Sequence, residues 1–345
     1  MTRFQKTLTF LSSLFALFVF PWITFAHEVY VLDPATIAHD VSMNGPNPLS
    51  LIVTDFHQFI LWAMIGVITI SAVFLISITR AVEQALDPLL MRAKKYAPFV
   101  ARITLGLSLL ASAYYNGLFG PELALSVVFG HFAVLARVIL FVIGFCITLG
   151  LFIRESTFVA LVLYLVAVIM FHTYMLTYIN YLGEIVLNMF LGGGLWSLDK
   201  YFGHGQGISL AKKLEPYAFP ILRVLFGVAL IYASWYAKLF HSLLALNVVT
   251  QYHLTNYFHF APLFIVLGAM IVETLFGLFY VLGFEVRFTA LFFSGFLILS
   301  LCFFGEVVWP HLILLGVNLV FLLHGYDKYS LTGRFFEKNR REPVL

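Results

Sequence analysis

The sequence predicts an all-α, polytopic membrane protein with about nine transmembrane helices after signal removal, arranged around two parallel four-helix repeats. Three observations carry that reading. Of 345 residues, 61% are hydrophobic and 11% are charged, where a soluble domain has about 25% charged. Apolar runs of about 16–24 residues recur along the chain, the length that a hydrocarbon core about 30 Å thick requires. Finally, Arg102–Val128 and Arg223–Val249 align without a gap at an offset of 121, with 11 of 27 positions identical. Two apolar segments do not share that many residues by composition alone, so the chain carries an internal duplication.

Residues 1–26 read as a signal peptide. Arg3 and Lys6 precede an apolar stretch, and Thr24-Phe25-Ala26 is an acceptable cleavage site. Cleavage there leaves His27 as the first residue; an uncleaved signal anchor is the alternative, and both place residue 27 outside the cytoplasm. Residues 27–50, with Pro34, Pro46 and Pro48, show no periodicity and read as an outer loop. Residues 51–97 supply an extra N-terminal transmembrane helix, 51–79, and a cytoplasmic loop with Arg80, Arg92, Lys94 and Lys95.

The first four-helix unit, 98–201, has spans near 98–119, 129–152, 156–178 and 182–198. A linker, 202–217, contains Gly203, Gly205 and Gly207; no strand precedes it and no Lys-Ser/Thr follows, so it is not a phosphate loop. The second unit, 218–329, has spans near 218–240, 261–283, 286–305 and 308–325. Residues 330–345 form a basic cytoplasmic tail.

The duplication extends past the 27-residue match. Leu149-Gly150 with Arg154 matches Leu282-Gly283 with Arg287, and Asp199-Lys200-Tyr201 matches Asp327-Lys328-Tyr329. With residue 27 outside, 16 of the 18 Lys and Arg beyond the signal fall on the inner side. That bias implies a multi-pass protein of a bacterial inner (plasma) membrane with a cytoplasmic C-terminus.

Each unit resembles the DoxX family of four-helix membrane proteins, relatives of the DoxD subunit of thiosulfate:quinone oxidoreductase. The residues that carry the resemblance are Arg223, Gly227 and Lys238-Leu239, then Glu273 to Gly277, Leu282-Gly283 and Arg287, and the turn Gly192-Gly193-Gly194 into Ser197-Leu198-Asp199. It covers about 230 residues, 98–329. The first unit departs from the pattern at Gly117 and Leu140, where the Lys and Glu belong, and the second lacks a Ser-Leu before Asp327. The resemblance implies a membrane component of a redox system; nothing in the chain itself points to thiosulfate chemistry.

Charged groups inside the membrane are costly and by default functional. Arg137 and Glu273 sit about ten residues from the outer ends of the second helices of their units. Glu273 aligns with Leu140, three residues from Arg137 on the same helix face. An Arg137–Glu273 pair across a pseudo-two-fold axis is expected, with Lys238 the competing partner for Glu273.

Nine of the 11 histidines lie toward the outer face, among Asp33, Asp40, Asp55, Glu122, Glu184 and Glu306. Histidine is the commonest metal ligand, so a metal or haem site is a candidate there, with His131, His172, His259 and His311 preferred. A cleaved N-terminus would let the His27 amine and imidazole, with His39, hold copper(II). The alternative is that these histidines sit among interfacial aromatics such as Trp235, Tyr236 and Trp309. Cys146 and Cys302 lie in apolar runs and offer no disulfide framework. No nucleophile elbow, nucleotide fingerprint, iron–sulfur spacing or nucleic-acid site is present.

The expectation is a DoxX-like redox component handling quinone, metal or haem at the outer face. Its partners are the lipid bilayer and a redox or periplasmic protein. A transporter with its path between the repeats at Arg137 and Glu273, and a non-catalytic scaffold, are the alternatives.

Overall fold

A computed structural model describes residues 32, 34–79, 89–203, 209–304 and 308–336. The signal peptide, His27, the centre of the linker and the end of the tail lie outside the described residues. The regular structure described is helical throughout. Six helical stretches are long and apolar enough to cross a membrane: Ala97–Tyr115, Leu125–Leu149, Ile153–Leu191, Ala211–Phe240, Pro262–Leu282 and Val286–Phe304. A seventh candidate is the pair Pro48–Thr54 and Phe56–Ala72, bent by 104°, and Trp309–His324 is apolar but shorter.

The principal helices are α1 (Pro34–Ser42), α2 (Phe56–Thr79), α3 (Ala97–Tyr115), α4 (Ala133–Leu149), α5 (Ile153–Phe171), α6 (Ile179–Leu191), α7 (Ala218–Trp235), α8 (Pro262–Leu282), α9 (Val286–Phe304) and α10 (Val308–His324). Ile153–Leu191 is a hairpin rather than one long rod. The chain reverses through the 3-10 turn His172–Tyr178, α5 packs against α6, and the Tyr164 hydroxyl donates to the Met175 carbonyl at 3.0 Å.

The expected loop at 27–50 is corrected by α1. This helix lays Ile37 and Val41, four residues apart, against Leu244 and Val248 of the short helix Ser242–Gln251. Asn247 also donates to Asp40 at 2.5 Å. Nine residues with two large apolar side chains hold too little periodicity to be read without that partner.

Within 97–202, α3 packs most closely on α4; within 218–336, α7 packs on α8. Both crossings bring glycine against glycine. An added Cβ on Gly106 would lie 2.9 Å from the Gly144 carbonyl oxygen, and one on Gly227 would lie 2.5 Å from that of Gly277. Small residues let membrane helices approach this closely. The halves are joined crosswise, with α6 against α7 and α10 against α3, and α6 also meets α10. Gly183 faces Leu222 in one crossing and Gly316 faces Thr104 in the other. The central core therefore draws on α3, α6, α7 and α10 (Leu105, Ile185, Phe226, Val317). The outer helices α4, α5, α8 and α9 flank it.

At the end where α3 and α7 begin, contacts recur at a constant offset of 133. Gly150 and Gly283 cap α4 and α8 with φ of +72° and +68°. Phe152 and Glu285 follow with φ of +47° and +42°. Arg154 donates to the Met189 carbonyl at 3.4 Å, and Arg287 to that of Leu322 at 3.2 Å.

The same offset corrects one expectation. Asp199 corresponds in space to Thr332, not to Asp327. The Asp199 amide donates to Gly150 O at 2.8 Å and that of Thr332 to Gly283 O at 3.2 Å. The Asp199 carboxylate accepts from the amides of Phe152 and Ile153 at 2.7 and 3.1 Å, while Thr332 Oγ1 accepts from that of Glu285 at 3.0 Å. The Ser-Leu that seemed missing is Ser330-Leu331, placed after Asp327 rather than before it.

Candidate functional site

At the opposite end of the bundle, where the halves meet, a narrow cleft of about 70 Å³ opens between the His172–Tyr178 turn, α6, α7 and the start of α10. Its polar lining is Tyr174, Thr177, Tyr178, Asn180, Tyr181, Tyr236 and His311; Ala229, Leu230 and Ile313 are among the apolar ones. His311 is buried. Tyr174 and Tyr236, from different halves, meet edge to face at 5.1 Å.

Two local devices shape this cleft. The seven-residue 3-10 turn is long for its kind. It aims the Tyr174 hydroxyl at Glu122 Oε1, 2.9 Å away, and the Tyr178 hydroxyl at the same oxygen. Glu122 is carried back over the turn by a tight loop in which the Leu118 amide donates to Leu123 O at 2.8 Å. Gly120 is required there, because a Cβ would lie 2.0 Å from the Tyr178 hydroxyl oxygen.

The second device is the π-helical turn Tyr236–Phe240 that ends α7. Such turns recur at functional sites. This one buries Lys238, whose Nζ lies 3.0 Å from Glu273 Oε2 on α8. Just beyond it, His241 packs on the Tyr236 ring at 4.6 Å. Burial pushes its imidazole below its ordinary value, against a smaller opposing effect of the Val41 backbone.

The expected Arg137–Glu273 pair is corrected. Glu273 takes Lys238, while Arg137 lies exposed on α4 and donates from Nε to the Ala113 carbonyl of α3 at 2.9 Å. The reason is the crosswise junction. α4 and α8 pack chiefly on the first helix of their own half, so the seam belongs to α3, α6, α7 and α10.

The histidines do not converge either. His131 is exposed in a 3-10 turn before α4, His172 is exposed at the end of α5, and His259 is exposed in the loop before α8. His39 is exposed on α1, 3.2 Å from Asp40. His311 is the preferred candidate that lines the cleft. Among the described residues, no three His, Cys, Asp or Glu gather into a group that could hold a metal ion.

Sequence reasoning missed a fully buried acid. Glu184, counted among the acids near the outer ends, is fully buried in α6, and its Oε1 accepts from Thr104 Oγ1 of α3 at 3.1 Å. A signal was present. Asn180, Glu184 and Asn188 form a polar stripe at four-residue spacing on an otherwise apolar helix, and Thr104, Ser108 and Ser112 repeat that spacing on α3. No family model, no curated protein and no solved structure matches this chain.

Proposed function

We propose that the chain is a DoxX-like integral membrane protein, built as a duplicated four-helix unit. In this reading it serves a redox system by binding a quinone in the cleft between its halves. It places nine helices across a bacterial inner membrane, α2 included, with residue 27 and the cleft toward the outside and the C-terminus in the cytoplasm. The recurrence of turns and arginine contacts at a fixed offset supports the duplication.

The observation that carries the quinone assignment is the make-up of the cleft. Tyr236, the Asn180 amide and the His311 imidazole line an otherwise largely apolar wall at the seam, beside tyrosines whose hydroxyls are held by Glu122 and the Phe119 carbonyl. Hydroxyl and imidazole N–H groups donate to quinone carbonyl oxygens, and ring faces stack on a flat conjugated head. The dispersal of the other histidines favours an organic ligand over a metal.

The test is titration of the protein in nanodiscs with a short-chain quinone, followed by quenching of intrinsic fluorescence. Saturable quenching is expected. Removing one donor, in His311→Ala or Tyr236→Phe, should weaken it about tenfold, while Arg137→Ala should bind as before. Absence of saturable quenching, or affinity unchanged in both cleft variants, sinks the assignment. A haem absorption band in the purified protein would replace it with a haem site.

A further inference from the structure

The second half has no counterpart of Glu184. The six residues of the two polar stripes correspond, at the offsets of 121 for α3 and 133 for α6, to Leu225, Ala229, Ala233, Ile313, Val317 and Phe321 in the second half. All six are apolar. The close packing of α6 on α3 that brings the two stripes together has no comparable counterpart between α10 and α7 among the described residues, so the stripes belong to a crossing particular to the first half.

We propose that Glu184 is a proton-binding site within the membrane span, linked to the cleft by the hydroxyl and amide side chains of α3 and α6. Glu184 lies five residues from the start of α6 and seven from its end, about 7.5 Å and 10 Å along the axis. Its exposure is 0%, its Oε1 has Thr104 as donor, and its Oε2 has no hydrogen-bond partner. A bare carboxylate in that setting is very costly.

The groups on the packed elements leave its charge unbalanced. Arg102 on α3 is turned to the carbonyls of Gly193, Leu195 and Trp196, and Arg223 on α7 to Asp327. Asn318 on α10 accepts from the Tyr280 hydroxyl, Tyr164 on α5 donates to Met175 O, and His311 on α10 lines the cleft. Among the described residues Glu184 makes no ion pair.

The link runs one way. Toward the cleft, Ser108 Oγ is buried without a hydrogen-bond partner among the described residues, Tyr181 stands within electrostatic reach of both Glu184 and Glu122 and donates to the Phe119 carbonyl at 3.0 Å, and Asn180 and Tyr181 line the cleft itself. Toward the other end, the Asn188 amide is spent on the Glu184 backbone carbonyl at 2.9 Å, and the Arg102 guanidinium fills the space beside Gly150. In transfer, the O–H bond of the Glu184 carboxyl breaks and one forms on the Glu122 carboxylate. Each intervening hydroxyl, and water where side chains do not touch, accepts one proton as it gives one up.

The site depends on α3 and α6 spanning the membrane and not on which molecule fills the cleft, so it and the quinone assignment fail separately. The test is infrared spectroscopy of the protein in nanodiscs, reading the carbonyl band of a protonated carboxylic acid. The band should be present in the parent protein, lost in Glu184→Gln and shifted in Thr104→Val. Its displacement in deuterated water should be slowed by Ser108→Ala and by Tyr181→Phe. A missing band, or one that survives Glu184→Gln, overturns the site. If Glu184→Gln does not fold, an unshifted band in Thr104→Val overturns it instead. Exchange indifferent to both Ser108→Ala and Tyr181→Phe overturns the link to the cleft.

Discussion

Residues 97–202 and 218–336 solve one packing problem with different charges. In each, a buried arginine near the start of the first helix reaches across to a neighbouring turn. Arg102 is satisfied by three carbonyl oxygens, while Arg223 has the Asp327 carboxylate at 2.9 Å and the carbonyls of Tyr280 and Val281. The first half places its acid elsewhere, as Asp199 at the start of α5, where the second half manages with Thr332. The first half therefore keeps one buried carboxylate near this end, Asp199, and the second keeps two, Asp327 and Glu285, each attached to different donors. The contrast teaches that the backbone geometry is the common element and the charge pattern is free to vary on it. The cleft end shows the same freedom: Gly117 and Glu122 in one half stand where Lys238 and Leu243 stand in the other.

The largest expected effect tests that contrast directly. Arg223→Ala leaves Asp327 buried and uncompensated, and should cost about 3–5 kcal/mol. Arg102→Ala leaves only carbonyls, at about 1–3 kcal/mol. Thermal unfolding followed by size-exclusion chromatography measures both, and Asp327→Asn should restore part of the first loss. Equal losses would erase the distinction between the halves.

Next comes what the halves share. Gly106→Ala and Gly227→Ala each push a methyl into a facing backbone and should each cost about 1–3 kcal/mol. Gly268→Ala, with nothing within 4 Å of the added carbon, should be tolerated. A penalty at Gly268 equal to the others would mean that the glycine crossings are not what holds α3 to α4 and α7 to α8.

The smallest effect is acid sensitivity. His241, held below its ordinary value by burial, occupies the position of Gly120 in the first half. The unfolded chain takes up this proton first. The stability His241 contributes is therefore complete above about pH 6.5 and declines as pH falls below it. His241→Gln should flatten that decline in a melting series against pH. An unchanged slope would assign the sensitivity elsewhere.

Much of the fold was legible. Each of the eight spans expected in the two halves meets a helix that begins within a few residues of its start, though those at 156–178 and 182–198 end early, at Phe171 and Leu191; a long apolar run with a glycine stop, as at Leu149-Gly150 and Leu282-Gly283, marks its own end. Helix α1 was not legible, since its apolar pair acquires meaning only against Leu244 and Val248. The site was partly legible: Lys238, Glu273 and His311 were singled out, whereas Glu122 with its two tyrosines was not. Glu184 was misread because its depth was judged from the end of a hydropathy run. The chain turns back earlier, through His172–Tyr178, which moves Glu184 toward the middle of α6.

The sequence by itself determined that the chain is a set of apolar helices, roughly where each begins, and that two stretches of it match at 11 of 27 positions. It determined these because helix formation in a lipid-like setting follows from local composition: every backbone polar group must bond within its own segment. Only the tertiary structure decided which faces meet. Lipid-facing and core-facing positions are both apolar, so periodicity cannot separate them, and small residues and polar contacts choose the partner instead. Here Gly183 and Gly316 let the last helix of each half cross to the first helix of the other. That junction gives Glu273 to Lys238, leaves Arg137 on the perimeter, and closes α3 over Glu184.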